Sequence, residues 1–188
     1  MSDPPLVLLM GQPNVGKSAL FNRLTGADIT ESNYGGTTVD YTEGTLTWDG
    51  RELPVIDVPG TFSLDPKDSA EEVAVEILED NAEALVVCVV DATKFERGLY
   101  LVLEVIERGY DVVVALNMWD EAREHDIDID VDELETVLGV PVTPTVATAG
   151  TGIKDLIDSF DAAAGESIRD VRRRLEDHDE RHHVEGTT

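Results

Sequence analysis

Gly11-Gln-Pro-Asn-Val-Gly-Lys-Ser18 decides the reading of this chain. It has the form G-x-x-x-x-G-K-S, a glycine-rich turn whose main-chain N–H groups can converge on phosphate oxygens. At average residue usage, a four-residue pattern of this kind arises by chance at on the order of 1 in 30,000 positions. The context agrees with it. Leu6–Met10 before it is a short apolar run that reads as a buried strand, and Ala19–Leu24 after it reads as a helix. A helix beginning there presents its positive end to the same anion. Gly11, Gln12, Pro13, Asn14, Val15, Gly16, Lys17, Ser18 and Ala19 are therefore expected around a nucleotide's phosphates. Lys17 would reach the β- and γ-phosphates, and the Ser18 hydroxyl would bind Mg²⁺.

Outward from this loop, strands and helices alternate. Residues 26–37 are polar and read as a loop. Val39–Trp48 and Glu52–Val58 read as strands around Asp49-Gly50, a hairpin-turn pair. Helices are expected over Asp68–Asp80, Leu99–Ile106, Val131–Leu138 and Ile153–Phe160, the third ending at Gly139. Buried strands are expected at Ala84–Val90, Asp111–Leu116 and Val140–Thr145. With the phosphate loop after its first strand, the alternation is expected to give a three-layer α/β fold of the P-loop NTPase G-domain type. Its sheet would be mostly parallel, with one antiparallel strand pair and helices on both faces. Residues 1–163 are assigned to this domain and 164–188 to a charged tail, helical and then disordered.

Two more motifs fall at the carboxyl ends of strands, where such sheets form their ligand crevice. Asp57-Val-Pro-Gly60 lies 39 residues after Ser18. Asp57 can hold the Mg²⁺ shell, and the Gly60 N–H can touch the γ-phosphate. Asn117-Met118-Trp-Asp120 can recognise a base. The Asp120 carboxylate can accept from guanine N1–H and N2–H₂, a donor pair adenine lacks, so ATP is rejected by leaving a charge unpaired. Asn117 would tie neighbouring loops together. Thr37 and Thr38 lie in the loop that can fold over the γ-phosphate, and either hydroxyl can complete the Mg²⁺ shell.

Composition excludes several classes. Asp and Glu total 40 against 14 Lys and Arg, for a net charge of −26. Such a surface repels phosphate backbones, so a nucleic-acid partner is not expected. Only four of the cations are Lys. That scarcity favours a protein of a salt-rich cytoplasm, where ions screen the self-repulsion, over a merely acidic one. The longest apolar run, Ala84–Val90, has seven residues, far short of the ~20 needed to span a bilayer. Met1–Pro5 is short and polar, so no secretory signal is expected. Cys88 lies in an apolar run and reads as a small core residue. His178, His182 and His183 in the tail have no second ligand cluster beside them, so a solvated helix is preferred to a metal site.

The motif strings resemble a known family. Gly11-Gln-Pro-Asn-Val-Gly-Lys-Ser-Ala-Leu-Phe-Asn22 resembles the translation-factor-like GTPases. Asn33-Tyr-Gly-Gly-Thr-Thr-Val39, Asp57-Val-Pro-Gly-Thr-Phe-Ser-Leu64, Val90-Asp-Ala-Thr-Lys-Phe-Glu-Arg-Gly-Leu-Tyr-Leu101 and Val114-Ala-Leu-Asn-Met-Trp-Asp120 narrow it. Together they are similar to the cytoplasmic G domain of the FeoB ferrous iron transport proteins, from about Leu6 to Phe160. The resemblance implies a cytoplasmic GTPase that binds GTP and GDP, uses Mg²⁺, and works with a membrane transporter domain or subunit. It makes Thr38 the Mg²⁺-binding Thr and Asn14 a K⁺ ligand. Lys17, Asn14, Thr38 and Gly60 are then the catalytic set. The switch loop 26–42 contains no Arg or Lys that could act as a finger, and its carbonyls around Tyr34–Gly36 can face a cation instead. Thr61 stands where Ras-like proteins keep a water-orienting Gln, so slow, K⁺-stimulated hydrolysis is expected. Val146-Ala147-Thr148 would clamp the base, with Ala147 where the family usually has Ser. The rival reading is a binding module in which GTP and GDP only set the shape of residues 26–39 and 59–70.

Overall fold

The computed structural model describes residues 6–26 and 29–165. Its strands are β1 (Val7–Gly11), β2 (Ile29–Asn33), β3 (Asp40–Trp48), β4 (Arg51–Asp57), β5 (Leu85–Asp91), β6 (Asp111–Asn117), β7 (Val142–Pro144) and β8 (Ala164–Gly165). Its helices are α1 (Lys17–Thr25), α2 (Ser69–Asp80), α3 (Phe95–Glu107), α4 (Trp119–Glu124), α5 (Val131–Leu138) and α6 (Ile153–Asp158). The strands form one sheet in the order β2-β3-β4-β1-β5-β6-β7, with β8 also on β6. β4, β1, β5, β6 and β7 run parallel.

The side-chain period of two explains the layers. Leu8 and Met10 of β1 face one core, with Val86, Cys88 and Val90 of β5, and α2 and α3 cover it with Ile77, Leu78, Val102 and Ile106. Val7 and Leu9 face the other core, with Val87 and Val89, under Leu20, Phe21 and Leu24 of α1 and Leu156 of α6. Strands buried on both faces read as continuous apolar runs. Cys88 is buried and free, and burial pushes its thiol pKa up to about 12, so it is inert as a nucleophile.

The expected hairpin is present: β3 pairs antiparallel with β4 across Asp49 (φ 47°) and Gly50 (φ 74°). Two left-handed residues in a two-residue turn match the right-handed twist of the strands. Two further antiparallel pairings were not anticipated. Ile29–Asn33, read as loop, is the edge strand β2 on β3. Its side chains are mostly exposed, so no alternation marks it. Its order comes from main-chain bonds to β3. Ala164–Gly165, counted with the tail as helical, instead pairs with Val112 and Asp111 of β6. The tail's expected helix, its disordered end and His178, His182 and His183 lie outside the described residues. No described helix is long and apolar enough to cross a membrane.

Candidate nucleotide site

β1 delivers the chain into the glycine-rich turn, and α1 begins at Lys17. Gly16 has φ 84°, and a Cβ there would lie 2.2 Å from Asn117 Nδ2. Both the backbone conformation and the space therefore demand glycine. A Cβ on Gly11 would meet the Val89 carbonyl oxygen at 2.6 Å. Asn14 is also left-handed, at φ 65°, and its side chain is exposed at the tip of the turn. Val15 is buried beneath the turn, and Gln12 Nε2 donates to the Arg97 carbonyl of α3 at 2.9 Å. Among the described residues, the N–H groups of Gly16, Lys17 and Ser18 donate to no protein acceptor. That is the ordinary condition of a helix start, and it suits an anion.

Asp57 closes the phosphate end. One carboxylate oxygen accepts from Lys17 Nζ, and the other accepts from Ser18 Oγ at 3.0 Å. The pair is largely buried, with side-chain exposures of 11% for Lys17 and 9% for Asp57. The following loop lies across the glycine-rich turn. Thr61 N–H donates to the Gly11 carbonyl at 3.0 Å, and a Cβ on Gly60 would sit 3.1 Å from the Pro13 ring. Thr61 is fully buried, and its hydroxyl donates to the Ser63 carbonyl at 2.7 Å. Two glutamates fasten the loop further. Glu71 of α2 accepts from the Phe62 and Lys67 amides at 3.1 and 2.8 Å, and Glu104 of α3 accepts from the Leu64 amide at 2.9 Å.

A second cleft, about 70 Å³, opens beside Gly16 and Ala19, between α4 and the loop 146–148. Asn117 organises it. Its Nδ2 donates to the Val15 carbonyl at 2.9 Å, and its Oδ1 accepts from Ala147 N–H at 3.0 Å and Thr145 Oγ1 at 3.2 Å. One buried amide, 3% exposed, thus ties three segments together, as the sequence suggested. Met118, at φ 59°, turns the chain into α4 and places Asp120 in the first turn. The Asp120 carboxylate lines the cleft, is exposed, and has no hydrogen-bond or ion-pair partner among the described residues.

The loop between β2 and β3 is folded on itself. Tyr34 N–H donates to the Val39 carbonyl at 3.1 Å, and the Tyr34 carbonyl accepts from both the amide and the hydroxyl of Thr37, each at 2.9 Å. The Tyr34 hydroxyl donates to Asp80 at the end of α2. That bond, then burial, pushes its pKa up to about 12. Gly36, Thr37 and Thr38 are exposed, and among the described residues no hydrogen bond joins them to residues 11–18. The structure therefore brings together Lys17, Ser18, Asp57 and Gly60 at one end and Asn117, Met118, Asp120, Val146, Ala147 and Thr148 at the other. It does not join the switch threonines to them.

A family model described as ferrous iron transport protein B matches residues 6–160. The chain belongs to this family. Among FeoB relatives, the Fe(2+) transporter FeoB of Salmonella typhimurium is 43% identical over 152 residues, which cover 79% of this chain and 20% of that protein. A fusion of Fe(2+) transport protein A with FeoB from Porphyromonas gingivalis is 41% identical over 156 residues, 82% of this chain and 18% of that one. The chain spans about a fifth of the length of these relatives. Among solved structures, the cytosolic domain of T. maritima FeoB in its GMPPNP form superposes with a TM-score of 0.80 at 38% identity, covering 85% of this chain and 63% of that one. The cytosolic domain of L. pneumophila FeoB gives 0.79 at 36% identity, covering 86% and 70%.

Within this FeoB-family domain, sequence reasoning missed Glu71, Glu104 and Arg23. The last donates from α1 to the carbonyls of the 146–148 loop. Only the low exposure of Glu71 within an amphipathic helix, 6%, sets any of them apart. No sequence signal announces which distant carbonyl or amide a charged side chain will meet.

Proposed function

We propose that this chain binds GTP, with Mg²⁺, and hydrolyses it as the cytoplasmic nucleotide-binding part of a ferrous iron transport protein. The supporting observation is that two sets of groups flank Gly16. Unpaired N–H groups and the Lys17–Asp57–Ser18 cluster stand on one side, and an Asn117-braced cleft with an unpaired carboxylate stands on the other. The first suits a polyphosphate and the second a guanine base. Asp57 and Ser18 present hard oxygen donors 3.0 Å apart, a set that fits Mg²⁺. When bound, Mg²⁺ neutralises charge on the β- and γ-phosphoryl oxygens. Lys17, released from Asp57, would hold the γ-phosphate, and the loop N–H groups would cradle the rest. Thr38 would join the Mg²⁺ shell only after the 34–39 loop lifts off its Tyr34–Asp80 bond.

Neither Thr61 nor the 26–42 loop supplies a water-orienting or finger side chain. The Thr61 hydroxyl is turned to Ser63, and loop 26–42 has no basic side chain. Both facts support a monovalent cation in the finger's place. The free side-chain oxygen of Asn14 and the carbonyls of Gly35 and Gly36 fit K⁺ chemically, since the Tyr34 carbonyl is already engaged by Thr37. Bound K⁺ supplies positive charge against the developing negative charge between the α- and γ-phosphates. Steady-state GTP hydrolysis in KCl and in NaCl tests this. The expected result is at least about tenfold faster turnover in KCl. Background turnover in both salts, with tight GTP binding, would reject the enzyme. The same Thr61 geometry favours the second reading in that event, a nucleotide-set switch sensed by the membrane part of the transporter.

A further inference from the structure

The 146–150 loop has most of its main-chain groups accounted for. The Val146 carbonyl accepts from Ala149 and Gly150 N–H at 3.0 and 2.9 Å, and Ala147 N–H donates to Asn117 Oδ1. Its next two carbonyls are held from outside, although the Ala147 carbonyl also accepts a longer bond from Gly150 N–H at 3.3 Å. Arg23, in the last turn of α1, donates from Nε to the Ala147 carbonyl at 2.9 Å and from Nη2 to the Thr148 carbonyl. A guanidinium can do this because its diverging N–H groups are fixed in one plane. A lysine ammonium is a single point. Of the loop's N–H groups, one is left over. Thr148 N–H has no acceptor among the described residues, and Thr148 lines the base cleft.

The Ala147 carbonyl and Thr148 N–H belong to the same peptide unit. That unit is planar and trans, so its oxygen and hydrogen point to opposite sides. Anchoring the oxygen on Arg23, in the last turn of α1, turns the hydrogen away from that guanidinium, and Thr148 itself lines the cleft. A hydrogen bond at the carbonyl also polarises the N–H and makes it a better donor. We infer that Arg23 is a positioning residue that aims Thr148 N–H at the oxygen on C6 of a guanine base. Arg23 itself touches no part of the nucleotide. The inference rests on the guanine-nucleotide reading above and adds one determinant to it. The end of the helix that starts at the phosphate loop sets the grip on the base.

Titration calorimetry and dissociation kinetics test it on the full chain, with GDP and with 2-aminopurine riboside diphosphate. The second ligand has no C6 oxygen. Arg23→Ala should raise the Kd for GDP about three- to tenfold, mainly through faster dissociation. The same substitution should change the affinity of the 2-aminopurine nucleotide less than about twofold. Arg23→Gln, with one amide donor, should fall between wild type and Arg23→Ala. Arg23 is exposed at a helix end, and alanine suits that position, so an unchanged melting temperature is expected. GDP affinity unchanged in Arg23→Ala would overturn the inference. Equal loss for both nucleotides would overturn it too, since a general loosening of the loop would do that. Wild-type protein that binds neither nucleotide would reject the guanine reading itself, and this inference with it.

Discussion

Lys17→Ala is expected to abolish measurable GTP turnover and to weaken GTP binding by at least about 100-fold. Two effects act in the same direction. The ammonium is the only side-chain cation among residues 11–22 of the phosphate loop and its helix, so no neighbour there replaces its charge. Its loss also leaves Asp57, 9% exposed, without its ion-pair partner. A buried carboxylate so stranded repels a triphosphate where Lys17 had attracted it. The second effect lowers stability as well, so a melting curve must accompany the assay. Lys17→Arg keeps the charge but cannot sit as a point inside the turn, and it should regain stability without regaining turnover. Near-wild-type turnover in Lys17→Ala would remove the phosphate-loop assignment.

The second large effect is a change of base preference. Asp120→Asn should weaken GTP about 100-fold or more and improve XTP relative to it. The Asp120 carboxylate offers two acceptors to the adjacent donors of guanine. An asparagine amide keeps one acceptor and turns its N–H₂ toward the guanine amino group, donor against donor. Xanthine carries a carbonyl at that carbon and accepts the amide. Asp120 makes no ion pair or hydrogen bond to other described residues, so the substitution should leave folding unaltered. Competition of GTP and XTP for each variant reads the outcome. Equal losses for both nucleotides would mean that Asp120 does not face the base.

Much of this was legible because local chemistry decides it. The glycine-rich turn needs φ values that only Gly16 and a strained-tolerant Asn14 supply readily, and the pattern announces both. Asp49-Gly50 fixed the hairpin by the same logic, and Gly139, at φ 73°, ended α5 as expected. What escaped notice depends on distant partners. β2 is held by β3 rather than by any pattern of its own. α4, six mostly charged residues starting at Trp119, carries one buried side chain, Ala122, too little for an amphipathic signal. At the site, Asn117 and Asp57 stand in motifs whose spacing points to them. Arg23, Glu71 and Glu104 act across 124, 9 and 40 residues of sequence, and their partners are main-chain atoms without identity. The 34–39 loop was read by its threonines as metal ligands, yet Thr37 is turned to the Tyr34 carbonyl and the Tyr34 hydroxyl to Asp80.

The most direct measurement is calorimetry of the isolated chain with magnesium chloride, titrated in turn with GTP and ATP. The account predicts saturable one-to-one association with GTP and no measurable association with ATP at the same concentrations. No heat and no saturation with GTP, or equal affinity for the two nucleotides, would contradict it.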